Sequence, residues 1–184
     1  MLFNSEQREI ALQLQDPATR REAFTKVVSF YGEKLYWQIR KMVLSHDDAD
    51  DLLQNTFLKA WNNLDYFRGE AKISTWLFKI AINECITFLN KQRAQNHISI
   101  DDTDVFLLEQ LRSDSYFSGD EIQLKLQEAI LRLPEKQRLV FNMKYFDDMK
   151  YDEMSEILGT SVGALKASYH YAVKKIEEYL TRDI

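Results

Sequence analysis

Apolar residues recur at three-and-four spacing along most of this chain, and the strict alternation that a half-buried strand needs is almost absent. With only 5 glycines and 2 prolines in 184 residues there are few places to break a helix. The two features together predict an all-α protein. A hydrophobic content of 45%, with 12% aromatic residues, suffices for the core of one ordinary domain or of two small ones. No apolar run approaches the roughly 18 residues of a membrane span, and the opening MLFNSEQREIAL lacks a basic stretch followed by an apolar one, so a cytoplasmic protein with no direct membrane insertion is expected. The single cysteine, Cys85, cannot close an internal disulfide, and its setting in AINECITFL predicts a buried thiol without chemistry.

Periodicity divides the chain. Phe24, Val27, Val28, Tyr31, Leu35, Ile39 and Met42 mark one long helix. Ala49, Leu52, Leu53, Thr56, Phe57 and Ala60 mark a second, for which Asp47 or Asp48 is the expected N-cap; Leu77, Ile80, Ala81, Cys85 and Phe88 mark a third, expected to be capped by Ser74. The stretch from Gln95 to Glu121 is rich in Asp and Ser, contains Gly119 and holds no sustained period, so it reads as a linker. Beyond it, a helix carrying Ile122, Leu126, Ala129, Ile130 and Leu133 is expected to be capped by Asp120. Pro134 suits the first turn of a next helix with Leu139, Val140 and Met143. Asp152 to Leu158, turned at Gly159, and a final helix capped by Ser161 complete the pattern.

That final pair has the outline of a DNA-binding helix-turn-helix. Val162, Leu165, Tyr169, Ala172, Val173, Ile176 and Leu180 hold the inward face of the last helix. Gly163, Lys166, Ala167, His170, Tyr171 and Lys174 then point outward, small residues for close approach and Lys, His and Tyr for phosphates or base edges. The same outline also describes an ordinary helical hairpin. A second signal lies in DYFRGEAKISTWLFKIAINECITFLNKQR, where Arg68, Lys72, Lys79, Lys91 and Arg93 stand among Tyr66, Phe67, Trp76 and Phe78. Trp76, Lys79, Asn83 and Asn90 share a helix face away from the core stripe, and an aromatic, a cation and an amide together suit capture of single-stranded nucleic acid.

The acidic run HDDADD supports neither metal nor catalytic chemistry. A calcium loop begun at Asp47 would need Gly at its sixth place and Glu at its twelfth, where Leu52 and Leu58 stand. A His-Asp phosphohydrolase site would need further ligands, and His97 and His170 lie in the linker and the last helix. No phosphate loop, nucleophile elbow or zinc spacing is present, so neither an enzyme nor a cofactor is expected.

Taken in order, DADDLLQNTFLKAW, FRGEAKISTWLFKIAIN and LPEKQRLVFNMKYF, running into the helix-turn-helix, resemble the bacterial RNA polymerase sigma factors of the extracytoplasmic-function (ECF) type over nearly the whole chain. The resemblance implies two small helical domains joined by an acidic linker: region 2 over 1–94, the linker over 95–119 and region 4 over 120–184. It carries core RNA polymerase binding onto Asp50, Asp51, Leu53, Gln54 and Phe57, which would meet the clamp helices of the largest subunit. It carries strand separation and base capture at the minus-10 element onto Phe67, Arg68, Gly69, Thr75, Trp76 and Asn83, with Lys79 on the same face. Ile73 stands where the family usually has an aromatic. For the duplex minus-35 element it implies Gly163, Lys166, Ala167, Ser168, His170, Tyr171 and Lys174, although the family's Thr and second basic residue are missing. An anti-sigma factor is the further partner implied.

The resemblance also accommodates the formal net charge of -5, of which residues 96–133 contribute -5. Polymerase would supply the basic surface and the counterion release that hold DNA, leaving the factor to read sequence. The linker carboxylates Asp101, Asp102, Asp104, Glu109, Asp114 and Asp120 would lie in polymerase's basic channel or serve as a solvated spacer. Val105, Phe106, Leu107 and Leu108 could instead pack between the domains of a compact free factor. Two rivals predict different behaviour: a stand-alone helix-turn-helix regulator would bind duplex DNA by itself, and a metal-dependent hydrolase built on His46 and Asp47 would purify with metal.

Overall fold

A computed structural model describes residues 2–96, 100–113 and 121–181. They form α1 (Leu2–Gln15), α2 (Arg20–Val43), α3 (His46–Asn62), a 3₁₀ turn at Leu64–Tyr66, α4 (Ile73–Asn96), α5 (Ile100–Ser113), α6 (Glu121–Leu131), α7 (Glu135–Tyr145), α8 (Tyr151–Leu158) and α9 (Val162–Thr181). No strand occurs among the described residues, and the all-α expectation holds. His97, Asp114, Gly119 and Asp120 lie outside them, as do the side chains of Asp101, Asp102, Asp104, Val105 and Phe106.

The helix ends show how local chemistry sets these boundaries, and several differ from expectation. Ser45, not Asp47 or Asp48, caps α3: its backbone is extended, and its hydroxyl accepts the Asp48 N–H at 3.3 Å. Asp47 and Asp48 sit in the first turn, where their charges favour the positive end of the helix dipole. Ser74 likewise falls inside the first turn of α4 instead of capping it. Pro134 occupies the cap of α7 one residue before the helix, its ψ of 141° placing it outside helical geometry. Gly159 ends α8 with φ of 64°, the left-handed value that glycine adopts without a Cβ penalty. The Ser161 hydroxyl accepts the Ala164 N–H at 3.3 Å and begins α9.

α2, α3 and α4 pack together with α1 around Leu14, Leu35, Ile39, Leu64, Ile73 and Leu77, all fully buried. Burying each such side chain stabilises by about 1.5–3 kcal/mol. A second cluster joins α6, α7 and α9 through Ile130, Leu133, Phe141, Ala172 and Ile176. Ile122, expected on the apolar face of α6, is instead 80% exposed, because the buried stripe of that helix runs through Ala129, Ile130 and Leu131.

The two halves touch. The first cluster continues through Leu139, Val140 and Met143 of α7, Met154 and Ile157 of α8 and Leu165 of α9. Among the described residues three ion pairs cross the junction: Lys41 to Asp147 at 3.3 Å, Lys72 to Glu153 at 2.5 Å and Arg93 to Glu135 at 2.8 Å. The stretch expected to lack sustained structure contains α5, whose Leu107 and Leu111 pack with Leu131 of α6 and Leu44 at the end of α2. Leu44 is held in a left-handed conformation, φ 61°, which costs an L-residue about 1–2 kcal/mol and is offset here by its burial in that cluster.

Candidate nucleic-acid and polymerase interface

Three exposed faces collect the candidate residues. On α4, Lys79, Asn83 and Asn90 stand in solvent and Trp76 is half-buried at their N-terminal end. The loop before the helix brings Phe67 beneath this tryptophan, ring centroids 5.0 Å apart and tilted by 36°. Phe67 is itself only 4% exposed, so it supports Trp76 from the interior. Arg68 and Gly69 are exposed, and Gly69 has φ of 71°. Thr75 is buried and Ile73 fully so; Ile73 is a core position in this chain. Tyr66, expected only as a loop aromatic, stands 77% exposed on the 3₁₀ turn.

On α3, Asp51 and Gln54 are exposed, while Asp50, Leu53 and Phe57 are half-buried. Phe57 meets Phe24 edge-on at 6.2 Å, which ties it to the domain's own core. Leu58, 59% exposed, and Trp61, 39% exposed, continue the Asp51–Gln54 stripe at helical spacing. Neither was singled out from the sequence, although both lie within DADDLLQNTFLKAW; recurrence at three, four and three after Asp51 was the available signal. The face thus joins carboxylate, amide and large apolar groups, a composition suited to a protein partner.

On α9, Gly163, Lys166, Ala167, His170, Tyr171 and Lys174 are exposed and Ser168 is half-buried. The Lys166 ammonium sits 5.7 Å from the centroid of the Tyr151 ring, and Lys144 approaches that ring at 5.6 Å. His170 and Tyr171 meet at 5.7 Å. Beneath them Tyr169 stacks on Phe141 at 5.8 Å, and burial pushes its phenol above the ordinary value.

The acidic run has local partners. The Tyr36 hydroxyl lies 2.7 Å from His46 Nδ1, and Asp50 is 3.5 Å from His46 Nε2. Among the described residues no group of three or more His, Cys, Asp or Glu side chains is placed to hold a metal ion. Across the junction, burial raises the Glu153 carboxyl, but the hydrogen bond and charge of Lys72, together with Lys150, outweigh it and leave the group below the ordinary carboxylate value. Among the described residues no helix is long and apolar enough to cross a membrane.

The family model described as Sigma-70 region 2 matches residues 27–95, and that described as Sigma-70, region 4 matches residues 123–176. The ECF RNA polymerase sigma factor SigW of Bacillus subtilis (strain 168) is 30% identical over 172 residues, covering 89% of this chain and 91% of its own. The RNA polymerase sigma-H factor of Pseudomonas aeruginosa is 26% identical over 188 residues, covering 98% and 96%. Among solved structures, CnrH in complex with the cytosolic domain of CnrY matches with a TM-score of 0.72 at 24% identity, covering 97% of this chain and 99% of that one. The sigma factor RpoE of Bartonella quintana, in complex with the anti-sigma factor NepR, matches at 0.68 with 21% identity, covering 88% and 98%. These two are likenesses of fold.

Proposed function

The chain belongs to the ECF sigma factors of RNA polymerase, and from that membership we propose how its three exposed faces divide the work of a promoter-specificity factor. The carrying observation is that both sigma-70 regions occur in order on one chain, each with a polar helix face turned to solvent on α4 and on α9. Residues 1–94 form the region 2 domain, 95–119 the linker and 120–184 the region 4 domain.

The α3 face, Asp50, Asp51, Leu53, Gln54 and Phe57 extended by Leu58 and Trp61, docks on core polymerase. Arg68 and Gly69 of the loop, with Trp76, Lys79 and Asn83, separate the strands at the minus-10 element and hold the extruded base, while the buried Phe67 and Thr75 support that surface from within. Trp76 contributes a stacking surface, Lys79 a phosphate contact and Asn83 an amide for a base edge. On α9, Lys166, His170 and Tyr171 read the duplex minus-35 element, Lys174 contacts phosphate, and Gly163, Ala167 and Ser168 allow close approach. The chain performs no covalent chemistry and acts in the cytoplasm, where polymerase works. Its net charge of -5 fits a reader that relies on polymerase for sequence-independent affinity. The two fold relatives were solved with partners, one of them named an anti-sigma factor, which supports the same kind of restraint here.

Run-off transcription with core polymerase on promoters of the source genome tests the reading. The protein should give discrete starts that core alone does not. Asn83→Ala and Lys166→Ala should each weaken them about tenfold, as loss of a base or phosphate contact costs about 1–3 kcal/mol. If the protein shifts duplex DNA by itself and polymerase does not respond, the reading fails in favour of a stand-alone regulator.

A further inference from the structure

We infer that α1, which precedes the segment matched by the region 2 model, is a positioning element for the strand-separating loop, acting through Gln15 and Ala11 on the backbone of Phe67 and Gly69. The inference rests on the reading of that loop as the minus-10 site.

The corner between α1 and α2 grips alternate residues of the loop. The Arg20 guanidinium pairs with Asp65 at 2.5 Å. Gln15 Nε2 donates to the Phe67 carbonyl at 2.6 Å. A Cβ on Gly69 would lie 3.0 Å from the Ala11 methyl, so helix and loop approach as closely as backbone allows, and the φ of 71° independently calls for glycine there. Between these anchors Tyr66 and Arg68 stand exposed. One edge of the segment is therefore fixed to the corner while the other is presented outward.

The corner is itself held. Arg20 Nε donates to the Leu14 carbonyl at 2.9 Å and the Thr19 hydroxyl to that of Gln13 at 2.8 Å, which satisfies the free carbonyls at the end of α1. Leu14 and Ala11 are buried in the core shared with α2. The position of the Phe67 backbone then sets the height of the Phe67 ring under Trp76. A donor on α1 thus reaches the stacking surface on α4 through a single loop residue.

Gln15→Leu removes the donor while keeping side-chain bulk, and Asn83→Ala serves as a parallel probe of the site. Full-length protein assembled with core polymerase is measured for core affinity, thermal midpoint and the rate of permanganate-detected opening, on duplex promoter and on a template already mismatched across the minus-10 element. Gln15→Leu should slow opening of the duplex about fivefold, the effect of one hydrogen bond. Core affinity should be unchanged, the thermal midpoint should fall by no more than the few degrees that one hydrogen bond is worth, and the deficit should vanish on the mismatched template. Opening impaired in Asn83→Ala but normal in Gln15→Leu overturns the inference alone. Opening normal in both removes the site reading and the inference with it. A fall in core affinity that tracks the slower opening, a thermal midpoint lowered by more than about 10 °C, or a deficit undiminished on the mismatched template assigns Gln15 a structural role only and also overturns it.

Discussion

Cys85 lies fully buried in α4, where burial, and after it the negative charge of Glu84, push the thiol up to about 12. The thiolate is the reactive form, so the native protein should resist iodoacetamide at about pH 8 and react only as denaturant unfolds α4. Labelling as fast as that of the unfolded chain would show that α4 opens freely in the native state. The buried place of this residue was legible because its neighbours Ala81 and Phe88 repeat at helical spacing. The cap of α3 was not. Serine and aspartate are comparable N-caps, and only the extended backbone of Ser45 decides between them. Phe67 and Thr75 carry the same lesson at the candidate site: their placement in the motif was readable, but their burial was not, and the Gln15 contact to the Phe67 carbonyl and the cleft that Thr75 shares with Glu153 and Ile157 come from residues far away in sequence.

At the scale of the element, α5 shows where periodicity runs out. Its apolar residues stand in an Asp-rich setting, and an isolated 14-residue helix is marginal in water. The helix persists because Leu107 and Leu111 are buried against Leu44 and Leu131, and because Arg112 Nε reaches Glu128 of α6 at 2.8 Å. Glu128 also accepts from the Tyr179 hydroxyl at 3.3 Å, so one carboxylate joins α5, α6 and α9. None of these contacts is local, which is why the segment read as a linker. Leu111→Ala should cost the docked helix about 2 kcal/mol or more. Amide exchange over residues 107–113 should then rise roughly thirtyfold, while α2 through α4 stay protected. Unchanged exchange there would mean that α5 is held by something other than its leucines. α1 was missed for the complementary reason: periodicity assigns no helix to residues 2–15, and the importance of Gln15 comes from a partner 52 residues on.

The whole molecule depends on whether its two halves stay docked. Lys72, Ser74 and Thr75 share a cleft with Met149, Glu153 and Ile157 of the other half, so part of the face proposed for the minus-10 element is opposed by α8 when the halves are together. The most buried of the three crossing ion pairs is Lys41–Asp147, with side chains 16% and 6% exposed. Burial raises the Asp147 carboxyl above its ordinary value, and the Lys41 charge opposes that rise only in part. An acid whose pKa is raised by docking favours the docked form below its undocked pKa and loses that contribution as pH rises through the docked value. Lys41→Met removes the ion-pair partner and leaves only the weaker Lys34 charge against the carboxylate, and breaking such a pair is costly unless the survivor takes up a proton. The variant should therefore be expanded at about pH 8 and compact again near about pH 5, with the radius of gyration from small-angle scattering as the measure. Adding Asp147→Leu to Lys41→Met should restore the compact radius at both pH values, because no buried charge then remains unpaired. A Lys41→Met radius equal to that of the parent at high pH would show that the shared apolar cluster and the Lys72–Glu153 and Arg93–Glu135 pairs hold the halves together without Lys41.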